Sequence, residues 1–261
     1  EVWEDASNKI SYSERRKYFQ GGELDSVMNY PLRDAILAFL NGGTAEHFAE
    51  TMECIRENYP RAVFYNLMNI IGTHDTARAL TLLGVSEEEW HMDRDSRAHY
   101  TLPMDRLETA KRKLKLAAVI QFTMPGSPTI YYGDEAGRQG FEDPFNRRTY
   151  PWGAEDRELL AFYRRLCALR ADSETLARGD LRFVESSGAL LHYERMSDHA
   201  RLHILVNRGH HAVETRVDAV YAVDMLENAE FDRADSRGVY VTIPPETAYI
   251  LRCFGTPLKE D

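Results

Sequence analysis

The rhythm of apolar residues changes once along this chain, near Leu176, and that change limits the fold more than any other feature. Before it, short branched apolar runs alternate with stretches where apolar residues return every three or four positions. Leu24 to Met28 predicts a strand, and Leu32, Ala35, Ile36, Phe39 and Leu40 predict a helix that opens at Pro31 and stops at Asn41-Gly42-Gly43. Thr44 is the expected N-cap of a second helix through Phe48, Met52 and Ile55, ending before Pro60. An apolar strand from Asn66 follows, then a long helix through Leu107, Leu114 and Gln121 ended by Pro125-Gly126, a strand over Thr129 to Tyr132, and a last helix over Leu159 to Leu169. Val2 and Trp3 read as the tail of a further strand. Strands fed into helices predict a parallel sheet. After Leu176 the runs are short, alternating and separated by turns, from Leu181 to Glu185, Leu190 to Met196, Leu202 to Asn207, Ala212 to Val217, Val239 to Ile243 and Ala248 to Arg252, which predicts an antiparallel tail. The expected regions are therefore 1–176 and 177–261.

Charge and composition remove several classes of function. A formal charge of −10 argues against a nucleic-acid ligand, because such binders carry a clustered basic face. No stretch approaches the roughly 18 to 20 consecutive apolar residues of a membrane span. Cys54, Cys167 and Cys253 are odd in number, far apart and in no metal-binding spacing, so buried thiols are expected and no disulfide framework or metal knuckle. Localisation is not legible in these residues.

The most informative segment for chemistry is Asn66 to Arg78. Its apolar run ends abruptly in Gly72-Thr73-His74-Asp75-Thr76, so a strand delivers an imidazole and a carboxylate to a loop. In a parallel sheet the residues after each strand share one rim. Here those are Glu1, Asn29, His74, Asp75, Asp134 and Glu135, interleaved with Trp3, Tyr30, Tyr131, Tyr132 and Trp152. Asp134-Glu135 reads more readily as a turn than as a site, since Asp favours turns. Convergent carboxylates with aromatic faces suit a sugar site, and glycoside hydrolysis needs two carboxyl groups across the bond, for which Glu1 and Asp75 are candidates.

These residues resemble the α-amylase family of glycoside hydrolases, in particular its neopullulanase and cyclomaltodextrinase branch. Glu1-Val2-Trp3-Glu4-Asp5-Ala6 is similar to the segment after the fifth barrel strand, Leu24 to Pro31 to the sixth, Asn69 to Arg78 to the seventh, and Met124 to Gly137 to the eighth. The resemblance implies the second half of a TIM (β/α)8 barrel, strands 5 to 8, followed by an all-β C-terminal sandwich. It implies that Glu1 is the general acid/base, that Asp75 stabilises the transition state, and that His74 binds sugar hydroxyls. Asp143 and Arg147, within Asp143-Pro144-Phe145-Asn146-Arg147-Arg148, match a pair gripping more distant glucose units, and Trp3 is expected to contact substrate.

The family's nucleophile is an aspartate in a motif resembling Phe-Arg-x-Asp after the fourth strand, and this sequence contains no such motif. The expectation is therefore a portion of a retaining enzyme that cleaves α-glucosidic bonds in starch-type glucans, inactive alone, whose partner is an α-glucan oligosaccharide or polysaccharide. No cofactor and no metal ligand are expected within the chain; calcium belongs to residues upstream, where the family's usual ligands lie, and its requirement stays open. Open barrel edges predict either self-association through them or their cover by later residues of the chain. The alternative is a non-catalytic carbohydrate-binding or scaffold protein. Linkage preference, α-1,4 against α-1,6, is not encoded in any residue identified above.

Overall fold

The computed structural model describes residues 1–255 apart from 233 and 236, so the end of the expected second region, 256–261, lies outside the described residues. The parallel sheet is present but narrow. Met68–Asn69 pairs in parallel with Ser127–Pro128 on one side, and Met28 bridges in parallel to Met68 on the other. Among the described residues the ladder does not close into a barrel. The expected strand over Leu24 to Met28 is reduced to this one bridge, the expected strand over Thr129 to Tyr132 sits two residues earlier, and Val2 and Trp3 lie in no ladder.

Side chains take the place of the missing ladder bonds. Gln121 Nε2 donates to the carbonyls of Asn69 and Thr129 at 3.0 and 2.8 Å, Asn69 Nδ2 donates to Pro125 O at 2.9 Å, and Asn29 Nδ2 donates to Asn69 Oδ1 at 3.0 Å. Buried amides thus satisfy backbone groups that a wider sheet would pair. Pro128, which has no N–H to donate, sits on the outer strand where that lack costs nothing.

The helices follow the periodicity. Tyr30–Leu40 begins where Asn29 Oδ1 accepts from the Leu32 N–H, with Pro31 in the first turn, and Ala45–Asn58 begins where the Thr44 hydroxyl accepts from the His47 N–H. Met104–Thr123 is the long helix, and the expected last helix, Arg157–Asp172, is followed by a further short one, Glu174–Arg178. The polar stretch ahead of the long helix forms two short helices, Glu87–Trp90 and Arg94–His99, because Ser86 and Glu89 make a reciprocal capping box and Asp93 caps the second.

The tail forms two antiparallel sheets. The larger runs, edge to edge, Glu230–Phe231, Tyr221–Asp224, Thr247–Phe254, Arg201–Asn207, Leu190–Met196 and Asp180–Ser187; the smaller runs Ala234–Asp235, Gly238–Ile243 and Val213–Val217. Strand alternation gives the large sheet two apolar faces. Leu190, Leu205 and Leu251 join Val217, Val239, Val241 and Ile243 of the small sheet in one cluster. Leu191, Tyr193, Ile204, Val206 and Ile250 face the other way and belong to the same core as Leu114, Ala117 and Phe122 of the long helix. The apolar core therefore runs unbroken across Leu176.

Candidate active site

The segment after Met68–Asn69 is shaped before it is functional. Arg33 Nε donates to Ile71 O at 2.9 Å, fixing the point where the chain leaves the strand. Thr73 and Thr76 then close a tight loop: the Thr73 N–H donates to Thr76 Oγ1 at 3.2 Å, and the Asp75 N–H donates to Thr73 Oγ1 at 3.2 Å. With its backbone held by these hydroxyls, the loop turns His74 and Asp75 outward.

Both side chains meet Glu1. His74 Nε2 lies 3.2 Å from Asp75 Oδ1 and 3.8 Å from Glu1 Oε1, and the three side chains are all partly exposed, at 47% for His74, 32% for Asp75 and 44% for Glu1. One polar atom from each falls within 4.8 Å of the others. Arg147 enters from a separate loop, with Nη2 3.5 Å from Asp75 Oδ1 and Nε 3.0 Å from Asp143 Oδ1. Trp3 stacks on Tyr30 with ring centroids 4.3 Å apart and planes 16° apart. Tyr30 is buried and Trp3 keeps 48% of its surface in water, so one aromatic face is anchored and the other offered. All six residues expected at the site thus belong to one locality: Glu1, His74, Asp75, Arg147 and Asp143 as a connected set of polar side chains, and Trp3 two residues after Glu1 in the chain.

The other rim candidates sit lower. Asn29 is buried and spent on Leu32 and Asn69. Glu135 Oε2 accepts from the Gly133 N–H at 2.8 Å, and the left-handed backbone of Gly133, φ 90°, makes that turn. Asp134 is buried beneath the loop, where Arg78 Nη1 approaches its Oδ1 to 3.1 Å. Burial pushes the Asp134 carboxyl up to about 6, more than the Arg78 guanidinium pulls it down. Arg78 also donates to Asn146 O at 2.8 Å and Tyr132 O at 2.5 Å, and its guanidinium lies 4.1 Å from the Tyr131 ring centroid. Of these floor residues the sequence marks only Asp134, as part of a turn; the parts played by Arg78 and Asn146 are not legible in it. The available signal was an arginine closing the Asn66 to Arg78 segment ahead of the apolar helix Ala79–Gly84.

Strands leading into helices, with carboxylates and an imidazole collected just past the carboxyl ends of the strands, define an α/β enzyme domain in which chemistry is mounted on one rim. The particular family follows from comparison: residues 2–153 match the model described as alpha amylase, catalytic domain, and the chain belongs to the α-amylase family.

Among curated relatives, an amylopullulanase of Thermoanaerobacter thermohydrosulfuricus is 36% identical over 207 residues, covering 75% of this chain and 13% of the relative. A cyclomaltodextrinase of Geobacillus thermopakistaniensis is 31% identical over 255 residues, covering 94% of this chain and 38% of the relative. The chain therefore spans well under half the length of these relatives. Among solved structures, an α-amylase of Geobacillus thermoleovorans complexed with acarbose has the same fold, with a TM-score of 0.74 at 22% identity over 89% of this chain and 48% of that one.

Proposed function

We propose that this chain supplies the acid/base and transition-state side of a retaining α-glucosidase site acting on starch-type glucans. The carrying observation is the meeting of Glu1 with His74 and Asp75, a pair remote from it in sequence, with one polar atom of each of the three inside 4.8 Å. Glu1 protonates the leaving glycosidic oxygen and later takes a proton from water. Asp75 accepts hydrogen bonds from sugar hydroxyls and opposes the positive charge that develops at the anomeric carbon. His74 donates to a neighbouring hydroxyl, Trp3 offers its ring to a pyranose face, and Asp143 with Arg147 holds glucose units further along. The reaction needs no cofactor.

On this reading region 1–176 is the second half of the barrel, strands 5 to 8, and region 177–261 is the sandwich that follows it. The nucleophilic aspartate, and any calcium ligands, lie on earlier strands and loops. The chain alone is then inactive. Its substrates are α-1,4-linked maltodextrins, cyclodextrins or pullulan, with α-1,6 bonds within the range of the class; the names of the amylopullulanase and cyclomaltodextrinase relatives and the acarbose complex of the α-amylase support that class.

The test is reducing-sugar release from starch, pullulan and β-cyclodextrin by two proteins: this chain, and this chain joined behind the corresponding N-terminal half of a cyclomaltodextrinase. Activity is expected from the joined enzyme only, with Glu1→Gln lowering it by about 10²- to 10⁴-fold. A joined enzyme indifferent to Glu1→Gln would overturn the assignment. Turnover by the chain alone, well above its own Glu1→Gln variant, would overturn the claim of inactivity.

A further inference from the structure

Asn146 stands at the junction of the two loops that form the site, and none of its polar groups reaches the position where substrate is proposed to lie. It is fully buried, in the short turn Phe145–Arg147. Its side-chain Nδ2 donates to His74 O and to Thr76 O, each at 2.8 Å, so one amide grips the backbone on both sides of Asp75. Both neighbours are carbonyl oxygens, which only accept; the NH2 end of the amide must therefore face them. From below, Arg78 Nε donates to Asn146 O at 2.8 Å, tying the same residue to the buried Arg78–Asp134 pair. One residue further along the chain, Arg147 reaches Asp75 Oδ1 at 3.5 Å from the solvent side.

We infer that Asn146 is a positioning residue: its amide sets the aim of Asp75 and His74 and locks their loop in register with the loop that carries Asp143 and Arg147. The inference rests on the roles proposed above for Asp75 and His74. Thr73 and Thr76 shape the loop from within but leave it free to tilt as a unit. The two bonds from Asn146 are the contacts that join the carbonyls flanking Asp75 to another part of the chain. They span 72 and 70 residues of sequence, so they fix the loop against the body of the protein and not merely against itself. A misplacement of about 1 Å at a reacting centre can cost about 100-fold in rate, which sets the scale of the effect.

The decisive variant is Asn146→Asp, which keeps the shape and removes both donors. In the joined enzyme it should lower kcat about 100-fold with KM for maltotriose within about threefold, because aim is lost and the binding groups remain. Asn146→Asp added to Asp75→Asn should cost little beyond Asp75→Asn alone, since a residue acting through Asp75 has nothing left to position. A full independent loss in the double variant would overturn the inference, as would an unchanged kcat. Hydrogen exchange on the 261-residue chain decides the point without catalysis: Asn146→Asp should accelerate exchange at residues 73–77 while the amides of Met104–Thr123 stay protected. Unchanged exchange at 73–77, or acceleration spread equally through that helix, would refute positioning. If Asp75→Asn proves harmless to turnover, the proposed function fails, and the exchange result still judges the role of Asn146.

Discussion

Arg78 and Asp134 face each other across 3.1 Å beneath the loop that carries His74 and Asp75, both withdrawn from water. The pair is short of full compensation, for burial lifts the Asp134 carboxyl to about 6 despite the guanidinium. The folded chain therefore binds a proton there that the unfolded chain, with an ordinary carboxyl near 3.8, has already released. Stability from this group is present below the unfolded value and is lost as pH rises through about 6. Relative to Asp134→Asn, the native protein should lose up to about 3 kcal/mol between pH 4 and pH 7, read from urea unfolding at each pH. Arg78→Met, which strands the carboxylate, should cost about 3 to 5 kcal/mol at pH 7 and less at pH 4.5.

Gly72 is held small by the same aspartate. A β-carbon at this position would stand 2.2 Å from Asp134 Oδ2, and Asp134 cannot retreat without leaving Arg78. Gly72→Ala should destabilise by about 1 to 3 kcal/mol, and Asp134→Ala should relieve part of that loss in the double variant. Additive losses in thermal unfolding would show that the clash is not the cause.

The tail sheet carries a titration of opposite sign. His192 Nε2 lies 2.8 Å from His203 Nδ1, His203 Nε2 lies 3.0 Å from Glu194 Oε1, and all three side chains are buried. Arg182 binds the other oxygen of Glu194 at 2.6 Å. Burial holds His192 down to about 4 and His203 lower still, so both are neutral when folded. The unfolded chain takes up protons on these residues below about 6.5. Stability is therefore complete above that value and declines as pH falls toward about 4. His203→Gln should flatten this acid slope, measured as the change in unfolding free energy between pH 7 and pH 5.

Asp143 and Arg147 form an exposed pair whose contribution to folding is about 0 to 1 kcal/mol. Arg147→Ala should leave the melting temperature within a few degrees, whereas in the joined enzyme it should raise KM for maltoheptaose about tenfold more than for maltotriose, the equivalent of about 1.4 kcal/mol. Equal effects on both lengths would remove the pair from the more distant glucose units.

The helices were legible because each carried both a periodicity and a stop: Pro31 and Asn41-Gly42-Gly43 bracket Tyr30–Leu40, and Thr44 and Pro60 bracket Ala45–Asn58. The parallel strands were legible as apolar runs but not in extent, because a ladder's length depends on its neighbours, and here Gln121 and Asn69 side chains complete what strands would. Tyr221–Asp224 and Glu230–Phe231 escaped notice as strands of four and two residues, too short to show alternation. At the candidate site, the solvent-facing residues Glu1, His74, Asp75, Asp143 and Arg147 stand out in short motifs. Arg78 and Asn146 were not, because a buried polar residue declares itself only through partners dozens of positions away.

The end of the long helix Met104–Thr123 carries a consequence for how this protein could be cut and recombined. Its last carbonyls are taken by Arg170 of the helix Arg157–Asp172, at 3.2 Å from Phe122 O, and by Arg195 of the tail sheet at Thr123 O, while Tyr193 meets the Thr123 hydroxyl at 2.5 Å. Arg208 likewise reaches back to Gly43 O at 2.7 Å. The tail is thus a stopper for helices it does not belong to. A nick in the backbone near Leu176 should leave two pieces that travel as one through gel filtration, and a tail borrowed from another enzyme will fit only if it brings its own counterparts of Arg195, Tyr193 and Arg208.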